Sequence, residues 1–190
     1  MAQLATLFKF PRVATYLGTE IGKVGYRIIQ GFFSKVDDGS PMVVIFEMQR
    51  PMDASFATEC LVKIGEDLIK GKFGERALLL SGLPPDAILN LNAAICLRGT
   101  QVAFLHVESD GRWQIIGALP DYLQDTLEMV GKKKSLGVGE LAYLRDLTTS
   151  AASNRLKRLY DMRLVCREMR VTNRLVTYDY HFWQWVKPKT

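Results

Sequence analysis

The chain has 190 residues, of which 48% are apolar, and a net charge of +5, a composition typical of a folded globular protein and not of a disordered one. Its three cysteines, Cys60, Cys96 and Cys166, are widely spaced, which predicts buried free thiols and excludes a disulfide framework or a metal cage. No segment approaches the roughly 18 to 20 apolar residues of a membrane span, and the N-terminus is too interrupted for a signal peptide, so we expect a cytoplasmic protein.

Helical and strand patterns alternate over the first 119 residues. Apolar residues recur at three- and four-residue spacing in three predicted helices, at residues 18–39, 54–70 and 87–97. Short apolar runs predict four strands, at residues 42–48, 77–81, 101–107 and 113–118, the last two joined as a hairpin through a turn at Gly111. Helices that alternate with fully apolar strands indicate an α/β sandwich with a partly parallel sheet.

The chain changes character near residue 120. A helix is predicted from Pro120 to about Gly131, followed by helices at residues 138–145 and 150–162 and strands at residues 165–171 and 175–180. Residues 131–190 contain 13 Lys and Arg against 5 Asp and Glu, a net charge of +8, whereas residues 1–130 contain 12 against 15, a net charge of −3. This segregation predicts two domains, at residues 1–119 and 120–190, of which the basic one binds a polyanion.

The segment SAASNRLKRLYDMRLVCRE, at residues 150–168, resembles the recognition helix and first wing strand of winged helix-turn-helix domains in bacterial repressors. The wider resemblance covers residues 120–187 and implies an α+β domain whose helix enters the major groove of double-stranded DNA beside a β-hairpin wing. That family usually has Gly before the Leu-Val pair, where this chain has Arg163. Either the turn needs no positive φ, or Arg163 bears the strain of one.

The predicted DNA contacts follow from residue chemistry. Short polar side chains at the start of a recognition helix let its backbone approach the base edges. Four residues meet this need: Thr149, Ser150, Ser153 and Asn154. Because Asn pairs with adenine and Arg with guanine, Asn154 and Arg155 are the candidates for base contact. Phosphate contacts are expected from Arg145, Lys157 and Arg158, with Lys132–Lys134 as an additional basic segment. Arg170 and Arg174, on either side of the wing tip, are expected to reach a neighbouring groove or a phosphate. The alternative for each cation is a solvated helix face.

The stretch MVVIFEMQRPMDASFATECLVKIGEDL, at residues 42–68, resembles the strand, turn and helix of STAS-like domains, and the wider resemblance covers residues 18–119. Phosphoregulated members of that family accept a phosphate on a serine at the start of the helix, and Ser55 is the matching position. Here Ala54 and Phe56 replace the neighbouring Ser and Gly of the family pattern. Asp53 and Ser55 are therefore candidate regulatory positions, for which the preferred alternative is a simple N-cap.

No phosphate loop, nucleophile–histidine set or metal-ligand spacing occurs in the sequence, so we expect neither an enzyme nor a cofactor. His106 lies in an apolar strand pattern and is predicted to be a core or edge histidine. His181 belongs to an aromatic C-terminus that is typical of a packing or dimer surface.

These patterns predict a transcriptional regulator that binds double-stranded DNA as a homodimer on two half-sites. The STAS-like domain would mediate dimerisation or sense a protein or small-molecule effector. The alternative is a protein-interaction module that switches partners without binding DNA, and an enzyme is the remaining alternative.

Overall fold

A five-stranded sheet forms the centre of the molecule. The computed structural model describes residues 4–12, 15–47, 51–108, 110–172 and 175–185. The strands follow one another across the sheet in chain order: β1 (Thr6–Lys9), β2 (Pro41–Ile45), β3 (Ala77–Ser81), β4 (Phe104–Val107) and β5 (Trp113–Ile116). The first four are parallel, and β5 pairs antiparallel with β4, which confirms the predicted hairpin.

Helices connect the parallel strands and cover one face of this sheet. Their bounds are α1 (Thr19–Phe33), α2 (Ala54–Ala57), a π-helical turn (Thr58–Val62), α3 (Lys63–Ile69) and α4 (Pro85–Arg98). Alternate strand residues such as Val44 and Leu80 enter the core under these helices, where they meet Ile29 and Leu91. The predicted α/β architecture with a partly parallel sheet is confirmed.

The C-terminal half of the chain covers the opposite face. Its elements are α5 (Asp121–Lys133), β6 (Ser135–Gly137), α6 (Val138–Leu144), α7 (Thr149–Asp161), β7 (Val165–Thr172) and β8 (Leu175–Phe182), and its strands form an antiparallel sheet in the order β6-β8-β7. Val43 and Leu79 of the first sheet share one hydrophobic core with Leu127 and Leu156. Burial on both faces explains why β2 and β3 are continuously apolar. The boundary at residues 119–120 stays a prediction, and this core contains residues from both sides of it.

Several elements differ from the sequence prediction, including the strands predicted at 42–48, 101–107 and 113–118, which are shorter in the structure. β1 was not expected because it has only four residues, whose side chains alternate between half-buried and exposed positions at the sheet edge. β6 was not expected because it has three residues and follows Lys134, which has a left-handed φ of 67°. α1 ends at Phe33 instead of near residue 39, because two tight turns leave the helix while still burying Val36.

All three cysteines are free, but only Cys60 is fully buried. Burial raises the pKa of the Cys60 thiol well above its usual range and that of the half-buried Cys166 to about 11. The prediction of a buried thiol is wrong for Cys96, which is exposed on α4, because that helix is apolar on its outer face as well as its inner one. Among the described residues, no helix combines the length and the apolar character needed to cross a membrane.

Candidate nucleic-acid interface

α7 packs through one face and exposes the other. It follows α6 after a turn at residues 145–148, and the Thr148 hydroxyl caps it by accepting a hydrogen bond from the Ala151 N–H at 3.2 Å. Ala152 and Leu156 lie on the inner side of the helix and are fully buried. Successive helical residues are rotated by about 100°, so Asn154 faces away from this buried stripe.

Most of the predicted contact residues of α7 lie on this outward face. Five are exposed: Thr149, Ser150, Asn154, Lys157 and Arg158. Ser153 and Arg155 are half-buried at the two margins of the face. The first turn carries only short, uncharged side chains, so no bulky group screens the backbone at the helix start from an approaching anion.

One tyrosine of α5 holds two arginines of α7. The guanidinium carbon of Arg155 lies 5.2 Å from the ring centroid of Tyr122, and Arg158 Nη1 donates a hydrogen bond to the Tyr122 hydroxyl at 2.8 Å. Arg155 is thereby turned toward α5 and away from Asn154, with which the sequence pairs it as a base contact. Sequence reasoning missed Tyr122 because it meets these arginines only when α5 packs against α7.

Two further cations near α7 are paired with carboxylates of the same chain. Lys157 Nζ lies 2.6 Å from Asp161 Oδ2, one helical turn away. Arg145 donates two hydrogen bonds to the Asp125 carboxylate, and these bonds raise the pKa of its guanidinium. Single exposed pairs are weak, whereas bidentate ones are stronger, so Lys157 is more available to a phosphate than Arg145 is.

The three ammonium groups of the basic segment Lys132–Lys134 also have separate partners. Lys132 Nζ lies 3.9 Å from Glu128, and Lys133 Nζ lies 2.7 Å from Glu140. Lys134 Nζ lies 5.9 Å from the centroid of an aromatic ring on β8. The three ammonium groups therefore do not form one free cationic patch.

The hairpin of β7 and β8 has an ion-paired face, and its other face combines exposed apolar side chains with Arg167, whose guanidinium carbon lies 4.7 Å from the Tyr178 ring centroid. On the ion-paired face, Arg170 Nε lies 2.5 Å from Asp179 Oδ2 on the neighbouring strand. The predicted contact residue Arg174 lies outside the described residues. Three side chains of the other face are apolar and exposed: Met169, Val171 and Val176.

Arg163, in the turn after α7, adopts a positive φ of 63°. Its guanidinium donates hydrogen bonds to the carbonyl oxygens of Leu68 at 3.3 Å and Gly74 at 2.9 Å. Of the two alternatives for this position, the structure has the strained one, and bonds to the first half of the chain offset the strain. Tyr160 near the end of α7 also hydrogen-bonds Glu75, so Tyr160 and Arg163 together anchor the end of α7 to α3 and to the segment after it.

Asp53 is an N-cap, the role preferred from the sequence. Its Oδ1 accepts a hydrogen bond from the Phe56 N–H at 2.7 Å, and its Oδ2 accepts another from the Gly18 N–H at 2.9 Å. One carboxylate therefore holds the starts of α2 and α1 together. Ser55 is exposed in the first turn of α2, and its modification stays a prediction.

His106 is a core histidine, as predicted. Its Nε2 accepts a hydrogen bond from the Leu83 N–H at 3.3 Å, and its Nδ1 lies 3.2 Å from the amide nitrogen of Gln114. Burial lowers the pKa of the imidazole and so favours its neutral form. Within the ranges that the structure describes, no group of His, Cys, Asp and Glu side chains is arranged to hold a metal ion.

No protein-family model matches this chain, and no curated protein matches its sequence. Function is therefore inferred from the outward face of α7 and from the charges around it.

Proposed function

We propose that the chain is a DNA-binding transcriptional regulator and not an enzyme. In this proposal α5, α6, α7 and the hairpin of β7 and β8 act as a winged helix-turn-helix, and α7 reads the major groove. The observation that carries the proposal is the outward face of α7, with short polar side chains at its start, the amide of Asn154 in its second turn, and cations beyond. The major groove is about 12 Å wide and admits an α-helix, most closely where the leading side chains are short.

Asn154 is the proposed base contact. It is exposed in the second turn of α7, on the side opposite the buried Leu156. Its amide offers one donor and one acceptor, which match the N6 and N7 edge of adenine. The small side chains of Thr149 and Ser150 precede it and leave room for the backbone to approach the bases.

Arg155 and Arg158 are proposed phosphate contacts, held in advance by Tyr122. A guanidinium that is already stacked or hydrogen-bonded loses less rotamer entropy when it binds a phosphate. Lys157 joins them by exchanging its exposed partner Asp161 for a phosphate, which the weakness of surface ion pairs allows. Arg155 is thus assigned to the DNA backbone instead of a base edge, because its guanidinium faces α5.

Mobility-shift titrations on a mixture of random duplexes, at several salt concentrations, test this function. Each phosphate contact makes the plot of log K against log salt steeper by about 0.9. Arg155→Ala/Arg158→Ala should therefore make this negative slope shallower by about 1.8 and weaken binding. Arg27→Ala/Lys35→Ala is the matched control, because it removes two exposed cations from α1 and the turn after it. Unchanged binding by the α7 double variant would reject α7 as the helix that contacts DNA.

A protein-interaction module that switches partners is the second candidate, favoured by the exposed apolar side chains on one face of the hairpin. Met169, Val171 and Val176 are exposed together there, and Val171 lies directly opposite Val176. Contiguous exposed apolar surface is typical of protein contacts. A wild-type chain that binds no duplex at low salt would favour this function over DNA binding.

A further inference from the structure

The main sheet ends at β5, whose outer edge pairs with no other strand among the described residues. On the inner side β5 pairs with β4, and the Glu108 N–H donates to the Arg112 carbonyl at 2.9 Å where the hairpin closes. Inward and outward bonding alternate along an antiparallel strand, so the backbone groups of Trp113 and Ile115 point away from β4. In the part of the chain that the structure describes, no backbone group pairs with them on that side.

The opposite edge of the sheet, at β1, is protected. Lys9 at the end of β1 pairs with Glu47 at 2.8 Å, and just before the strand the Ala5 N–H donates to the Gln184 carbonyl at 3.0 Å. Charged side chains and covering segments of this kind keep a strand edge from pairing with another chain. β5 itself carries no charged residue.

A cleft of about 700 Å³ lies beside the β5 edge, between β5 and α5. Trp113, Ile115 and Leu119 form its apolar wall, and Glu128 and Lys132 of α5 lie across from them. One acid and one base leave the α5 wall without net charge. An identical chain would therefore meet no net repulsion there.

On the other side of the edge, the outer surface of α4 is apolar. The Asn92 side chain accepts a hydrogen bond from the Gly117 N–H at 2.7 Å, so α4 borders the end of β5. Leu89 and Cys96 flank Asn92 at helical spacing and are exposed, Leu89 to 68%. The outward backbone groups of β5 thus lie between this cleft, to which Trp113 and Ile115 contribute, and the exposed apolar side chains of α4.

We propose that a second copy of this chain occupies this edge, with its β5 antiparallel to the first, to form a continuous sheet of ten strands. The twofold axis passes beside Gln114, so Trp113 of each copy lies opposite Ile115 of the other. In this register the outward backbone groups of both residues form four hydrogen bonds between the chains, because all of them belong to hydrogen-bonded pairs. An aromatic ring opposite a β-branched side chain is also a favourable cross-strand pair.

The strand is self-complementary, which selects a second copy as the occupant over an unrelated peptide. Residues 113 and 115 have the same backbone orientation and lie on the same face. A twofold rotation therefore places the N–H of each residue opposite the C=O of the other residue in the second copy. A stable interface buries about 800 Å² on each partner. Four-residue strands are too small for that area, so the cleft beside α5 and the exposed side of α4 take part.

Oxidative cross-linking tests the register. In the proposed dimer the two Gln114 residues face each other as a non-hydrogen-bonded pair with Cα atoms about 4.5 Å apart, within disulfide range. We expect Gln114→Cys, in a Cys96→Ser background, to give a covalent dimer on non-reducing gels. Leu7→Cys in the same background is the matched control, because Leu7 is exposed on β1 at the opposite edge, and it should remain monomeric.

Sedimentation measures the association itself, without DNA. We expect the wild-type chain to sediment as a dimer, and Ile115→Pro as a monomer with an unchanged circular dichroism spectrum, because proline removes an outward N–H that β4 does not use. A wild-type monomer at every concentration, or equal cross-linking of the Gln114→Cys and Leu7→Cys proteins, would overturn the proposal. A monomer whose β5 edge binds another protein would overturn it as well. Because neither measurement contains DNA, this dimer and the proposed function can fail separately.

Discussion

The helices α4 and α7 have similar lengths and similar apolar inner faces, but their outer faces differ in chemistry. They contain 14 and 13 residues, and both bury leucines, Leu91 in α4 and Leu156 in α7. Outward, α4 presents apolar side chains such as Leu97, which is 84% exposed, whereas α7 presents Asn154 and cations. The inner faces determine how the helices pack, and the outer faces distinguish the partners we propose, a second copy of the chain for α4 and DNA for α7.

Truncation of a core leucine should have the largest effect on the free energy of unfolding, and the effect should be similar for the inner faces of α4 and α7. We expect Leu91→Ala and Leu156→Ala each to lower the free energy of unfolding by about 2–5 kcal/mol, because each removes a fully buried side chain and leaves a cavity. The matched outer substitution, Leu97→Ala, should change it by less than about 0.5 kcal/mol. Urea unfolding at low protein concentration measures all three. A cost for Leu97→Ala as large as that for Leu91→Ala would show that the outer face of α4 is packed within the monomer.

Loss of the amide on the outer face of α7 should affect DNA selectivity more than stability. We expect Asn154→Ala to reduce discrimination between a selected duplex and its base-substituted versions by about 1–3 kcal/mol, since it removes a bidentate base contact. Competition binding at one salt concentration measures this. Gln101→Ala is the control, because it removes an exposed side-chain amide from the segment before β4, outside α7. Undiminished discrimination by the Asn154→Ala protein would remove this residue as a base reader.

The cap of α7 should contribute a smaller amount of stability. Thr148→Ala removes the only side-chain bond that caps this helix among the described residues, and we expect the free energy of unfolding to fall by about 1 kcal/mol. Thr148→Ser keeps a hydroxyl acceptor and serves as the control. Equal stability of the Ala and Ser proteins in urea would show that the cap contributes nothing measurable.

The stability contributed by the hydrogen bond just before α4 should depend on pH, whereas that contributed by the Thr148 cap of α7 should not. His106 accepts a hydrogen bond from the Leu83 N–H just before α4, and burial lowers the pKa of the imidazole below its ordinary value of about 6.5. Below a pH of about 6.5, His106 binds a proton more readily in the unfolded chain than in the folded one. The contribution of the neutral ring to the free energy of unfolding is therefore complete at higher pH and is lost as the pH falls through the lowered pKa. Urea midpoints between neutral and mildly acidic pH should therefore decline in the wild type and decline less in His106→Gln. Parallel declines in both proteins would assign the pH dependence to other groups.

Elements with strong periodicity could be predicted from the sequence. β3 spans the predicted residues 77–81, because a run of apolar residues bounded by polar ones has few alternatives. The outward position of Asn154 follows from the spacing of the leucines in α7. β1 could not be predicted, since four residues at a sheet edge need only one half-buried face and leave little pattern.

The contacts between distant residues could not be predicted. Tyr122 meets Arg155 and Arg158 because of the angle at which α5 packs on α7, and no local pattern encodes that angle. The bonds from Arg163 to α3 and to the segment after it likewise depend on the packing of the two halves of the chain. The sequence predicted which side chains would contact DNA, and packing determines which of those side chains already have partners within the chain.

Mapping of backbone amide shifts by NMR during titration with a random duplex tests directly whether the outward face of α7 binds DNA. The duplex should perturb amides from Thr149 to Arg158 first and most strongly, while the amides of α4 and β5 stay unchanged. Perturbations confined to other elements, with the amides of α7 unaffected at saturation, would contradict DNA binding by this helix.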